Sequence, residues 1–111
     1  MISVDLTSFG NVFLVEVAGE FDSSGAAALS RAVEEALEAE SQAIVVDLSG
    51  IITLDIDGLR VLHAGLKQVR RAGGDMCLAA PSDPALESLG ASRLDEIFKI
   101  FETTHAAIAS F

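Results

Sequence analysis

Residues 43–50 read AIVVDLSG, a nearly unbroken apolar run lying between two stretches of helical periodicity. A strand with one wet face alternates apolar and polar residues, so a continuous run of this length marks a strand covered on both faces, the hallmark of a parallel sheet. On its N-terminal side, Leu29, Ala32, Val33, Ala36 and Leu37 recur at helical spacing while Arg31, Glu34, Glu35 and Glu38 point elsewhere. On its C-terminal side, Leu59, Leu62, Leu66 and Val69 form one stripe, closed by Gly73-Gly74 as helix C-termini often are. Helix, buried strand and helix in succession predict an α/β fold with a mostly parallel sheet and right-handed crossovers.

The remaining segments extend this pattern. Around Gly10-Asn11, Ile2, Val4 and Leu6 on one side and Val12, Leu14, Val15 and Val17 on the other predict an N-terminal antiparallel hairpin. DMCLAA reads as a further strand stopped by Pro81, SDPALESLG as a short helix with Pro84 in its first turn, IFKIF as a last strand and TTHAAIASF as a closing helix. The predicted order is β-β-α-β-α-β-α-β-α, with SGIITLDID as a loop after the central strand and one domain over residues 1–111.

Charge narrows the partners. Seventeen acidic against seven basic residues give a formal net charge of -10, which opposes nucleic acid and anionic membrane surfaces. No apolar run approaches the roughly 18 residues of a membrane span, so direct membrane insertion is not expected. The start MISVDLTSFG lacks a basic segment followed by an apolar one, and the single Cys77 has no internal disulfide partner. Both point to a cytoplasmic protein.

Catalytic chemistry finds little to work with. His63, His105 and Cys77 fall in three different elements without ligand spacing, so no metal site is expected. Cys77, on a buried strand, reads as an inert small hydrophobe, His63 as a packing residue and His105 as a surface residue. No glycine-rich phosphate loop occurs, which argues against a nucleotide cofactor, and no G-x-S-x-G elbow is present. A phosphoaspartate receiver would suit the size, but Asp47 near a strand end and Lys99 inside IFKIF make only a partial constellation. A non-enzymatic protein without cofactor is the expectation.

Two stretches stand at strand ends, where sites in open α/β sheets gather: EFDSSGA, residues 20–26, and TLDIDGL, residues 53–59. Each places an Asp a few residues before a Gly at a helix start. Ser23 and Ser24 read as helix N-caps, and Asp57 as a good N-cap beside the positive end of its helix.

VEVAGEFD, AIVVDLSGIITLDIDGLRVL, KQVRRAGGDMCLAAPSDPALESL and RLDEIFKIFETTHAAI together resemble a STAS domain, the module of anti-sigma-factor antagonists and of sulphate-transporter tails, over nearly the whole chain. The resemblance implies a protein that binds an anti-sigma factor or related regulatory protein, often a serine kinase, and is released when one Ser or Thr is phosphorylated. That residue lies in a pattern like Asp-Ser-Ser/Thr-Gly-Leu/Val, which here reads Asp55-Ile56-Asp57-Gly58-Leu59, so Asp57 takes the hydroxyl position. The family's Gly-x-x-Asp is matched by Gly19-Glu20-Phe21-Asp22. The implied contact surface is Asp22, Ser23, Asp55, Ile56, Asp57, Gly58, Leu59 and Arg60. A carboxylate supplies about -1 charge where phosphoserine supplies about -1.5 to -2. Asp57 therefore mimics a phosphate only in part and removes the switch from that position, leaving either a domain locked in a phosphorylated-like state that binds a kinase-type partner poorly or a constitutive binder whose partner meets Asp57 with a basic or donor group. Arg60, Lys67 and Arg71 line a basic ridge along the same helix, read as a solvated face or as a docking surface. Two alternatives accompany the resemblance: a subunit docking on the ATPase of a membrane transport complex, and a scaffold of a larger signalling assembly.

Overall fold

The structure, a computed structural model, describes residues 2–111. Alternating apolar residues build β1 (Ile2–Phe9) and β2 (Val12–Phe21), which pair antiparallel from Ile2↔Gly19 to Phe9↔Val12 across a Gly10-Asn11 turn. The sheet continues in chain order through β3 (Ala43–Leu54), β4 (Asp75–Ala79) and β5 (Ile100–Phe101), all pairing in parallel. Four helices complete it: α1 (Ala26–Glu38), α2 (Ile56–Arg71), α3 (Asp83–Ser92) and α4 (Thr104–Ala109). This is the expected α/β order with its antiparallel hairpin.

The sheet is covered unequally. On one face Val15, Val17, Ile44, Val46, Leu48, Met76 and Leu78 meet Leu29, Val33 and Ala36 of α1, Leu62, Leu66 and Val69 of α2, and Ala85 and Leu89 of α3. On the other, Val12, Leu14, Val45, Cys77 and Ala79 meet Ala107 of α4, with Ile108 half-buried beside them. Every residue of β3 from Ala43 to Leu48 is buried, including Asp47, whose Oδ1 accepts from the Ser49 N–H at 2.8 Å. This is the two-sided burial that its continuous apolar run encodes.

Three boundaries differ from the sequence expectation. The stretch SGIITLDID, expected as a loop, instead gives residues 49–54 to the second half of β3, paired with β2 through Ala18↔Gly50, Glu20↔Thr53 and Phe21↔Leu54 with register shifts between, and Ile56 and Asp57 to the first turn of α2. The partner of β3 on its other side stops at Asp47↔Ala79, so Ser49, Gly50, Ile52 and Thr53 are exposed while Ile51 and Leu54 stay in the main core, and the unbroken two-sided burial ends. IFKIF contributes only Ile100 and Phe101 to the sheet. Phe98 instead enters the main core after a short 3-10 turn, η2 (Leu94–Glu96), that the sequence reading lacked. The helix expected from Ser23 starts at Ala26, preceded by a 3-10 turn, η1 (Ser23–Gly25).

Candidate functional site

Phe21, the last residue of β2, is the point on which the two candidate loops converge. Its ring is fully buried and its carbonyl oxygen accepts from the Asp55 N–H at 3.2 Å. Gly25 of the first loop and Gly58 of the second both pack on it: a Cβ at Gly25 would come within 3.0 Å of the ring, and one at Gly58 within 2.3 Å of the carbonyl oxygen. Each glycine lies three residues after an Asp that caps the turn it opens. The sequence reading missed Phe21; the matched Asp-x-x-Gly spacing of Asp22 to Gly25 and Asp55 to Gly58 was the available signal.

The caps themselves correct two expectations. Asp55, not Asp57, caps α2: its backbone is extended (φ -90°, ψ -178°) and its Oδ1 accepts from the Gly58 N–H at 2.9 Å. In the first loop the cap is Asp22, and the serines do not serve as caps; Asp22 Oδ1 accepts from the Ser24 N–H at 2.9 Å and from the Ser24 hydroxyl. The Asp side chain reaches the free N–H groups while its backbone stays extended, whereas Ser23 and Ser24 have already entered the turn. The Ser24 hydroxyl, then its N–H, hold the partly exposed Asp22 carboxyl below the usual carboxylate range.

Freed from capping, Asp57 stands in the first turn of α2 with its side chain 49% exposed, where the helix dipole favours its charge. Its Oδ1 lies 3.5 Å from Arg60 Nη1 in an i,i+3 pair. Arg60 is 73% exposed, so the pair contributes little to stability. Ile56 is 62% exposed, Gly58 and Leu59 are buried against the body of the protein, and Ser23 is exposed on η1. The side chains exposed wholly or in part around the two loops are Asp22, Ser23, Asp55, Ile56, Asp57 and Arg60, whereas Gly58 and most of Leu59 are buried.

Arg60, Lys67 and Arg71 are all exposed along α2, and Arg70 Nε lies 3.4 Å from Asp75 Oδ1. His63 is half-buried and His105 exposed. Cys77 is buried, and burial pushes its thiol up to about 12. Among the described residues no three His, Cys, Asp or Glu side chains are grouped to hold a metal ion. No helix among them is long and apolar enough to cross a membrane.

The chain and its topology match a known family. Residues 3–107 fit the family model of the STAS domain. The chain belongs to the STAS domain family. The anti-sigma-F factor antagonist RsfB of Mycobacterium tuberculosis is 28% identical over 109 residues, covering 96% of this chain and 87% of RsfB. The crystal structure of an anti-sigma factor antagonist from Mycobacterium paratuberculosis superimposes with a TM-score of 0.86 at 25% identity, over 99% of this STAS chain and 93% of that one. A sulfate transporter family protein from Wolinella succinogenes shares the fold with a TM-score of 0.81 at 18% identity, covering 94% and 87%. The STAS fold is thus common to proteins with different names, and the fold alone does not select among them.

Proposed function

We propose that this STAS domain is an anti-sigma-factor antagonist-like signalling protein that acts by binding. Its partner is an anti-sigma factor or related regulatory protein, held by the surface of Asp22, Ser23, Asp55, Ile56, Asp57 and Arg60. The full-length similarity to RsfB supports the class of partner. The observation that carries the reading is Asp57: a half-exposed carboxylate on the first turn of α2, beside the capped first loop, in the place of the family's phosphorylated hydroxyl. A carboxylate cannot accept a phosphoryl group from a serine/threonine kinase. Binding at this position is therefore independent of ATP, and the fixed charge meets a donor group on the partner.

Pull-down of candidate anti-sigma factors, each with wild type and with Asp57→Ser, tests the reading. The expected result is that wild type holds at least one of them with or without ATP and carries no phosphate at position 57. The Asp57→Ser variant is expected to be phosphorylated and released when that partner is a kinase. Failure of both forms to bind any of them sinks the antagonist reading.

A further inference from the structure

Beside Asp57, between α2 and the end of α3, a cleft of about 160 Å³ opens to the surface, lined by Ile56, Leu59, Arg60 and His63 on one wall and by Ser92 and Leu94 on the other. We infer that this cleft is the anchor pocket of the docking surface, and that its occupant is an aliphatic side chain of the partner flanked by Arg or Lys. The inference rests on the antagonist reading and extends its surface to the end of α3 and to η2, elements far along the chain from the first turn of α2.

Ile56 is the first reason. It is β-branched, at the first position of a helix, and 62% exposed, so neither helix propensity nor core packing accounts for it. With Leu59 on the same helix and Leu94 on the opposite wall, it gives the cleft an apolar lining that only an inserted side chain would dry. Size is the second reason: cofactor and drug-sized pockets run to roughly 300–1,000 Å³, and this cleft is well below that range, on the scale of one side chain. Charge is the third. The two wall-bearing segments carry Asp55 and Asp57 on one side and Asp95 and Glu96 on the other, against Arg60 and Arg93, within a chain of net charge -10. An aliphatic anchor with basic neighbours matches that rim, and its cation displaces Arg60 as the partner of Asp57.

The test uses the anti-sigma factor retained by wild type in the pull-down. Ser92→Phe, which fills the cleft, is expected to weaken its Kd at least about tenfold, and Ile56→Ala by several-fold, with circular dichroism unchanged; Ser92→Ala, which loses the same hydroxyl bonds to the Leu89 carbonyl and the Leu94 N–H without filling the cleft, is expected to keep the wild-type Kd. Ser30→Phe, at an exposed position of α1, serves as an off-site control and leaves Kd unaltered. Ser92→Cys carrying a photoreactive maleimide reports the occupant directly, because Cys77 is buried and its thiol stays protonated. Cross-links to an aliphatic residue beside Arg or Lys in the anti-sigma factor are expected. Wild-type binding with Ser92→Phe and Ile56→Ala both within twofold overturns the cleft while leaving the antagonist reading intact. Cross-links to an acidic or purely polar segment, or to a second copy of this chain, overturn it as well. A wild type that retains no anti-sigma factor overturns the antagonist reading and the cleft with it.

Discussion

Gly58 joins the two loops more tightly than any polar contact between them. A methyl group there would come within 2.3 Å of the Phe21 carbonyl oxygen and 2.9 Å of Leu54 Cδ1, so α2 can approach the end of β2 only because the position has no Cβ. In an exposed helix a Gly→Ala change gains roughly 1 kcal/mol from propensity. Here the sign reverses. Gly58→Ala is expected to destabilise the protein by about 1–3 kcal/mol through backbone displacement, read as a lower urea midpoint. A gain in stability would mean that the loops are not in close contact. The Asp-x-x-Gly spelling was legible at both loops, but which Asp caps was not: Asp55 and Asp57 are chemically equal candidates, and only the extended backbone at 55 decides between them.

Ser82 shows the same dependence on position at the level of elements. Its hydroxyl accepts from the Ala85 N–H at 3.3 Å, capping α3, and donates to the Ile51 carbonyl at 2.7 Å, tying α3 to the second half of β3. Ser82→Ala is expected to cost about 1–2 kcal/mol in chemical unfolding. Ser82→Asp keeps an acceptor for the cap but has no proton for Ile51, so it is expected to recover only part of the loss; full recovery would show that the tie to β3 contributes nothing. The helix was readable from Pro84 and its periodicity. The tie was not, because it depends on β3 continuing past Asp47 with one strand neighbour instead of two, through Ser49-Gly50, a pair that reads locally as a turn.

Across the whole molecule, α4 is the thin cover over one face of the sheet, and Cys77 lies beneath it. Burial raises the Cys77 thiol from 9.0 to about 12. The folded state therefore keeps a proton that the unfolded state releases. That contribution to stability is fully present below about pH 9 and is lost as pH rises from there towards about 12. Unfolding followed against pH is expected to fall more steeply in wild type than in Cys77→Ala across that window; equal slopes would refute it. A thiol reagent at pH 8 is expected to react only on unfolding.

Periodicity by itself determined the order of elements, the hairpin, the double-sided burial of residues 43–48 and the amphipathic faces of α1 and α2, because each is a local pattern that any core of this kind must satisfy. Tertiary structure alone decided that residues 22–25 and 55–58 close on Phe21, that Asp57 is left free of capping, and that Ser92 and Leu94 come to face Ile56. Those juxtapositions arise from strand pairing and helix docking between segments far apart in the chain, and no local pattern encodes a distance between them.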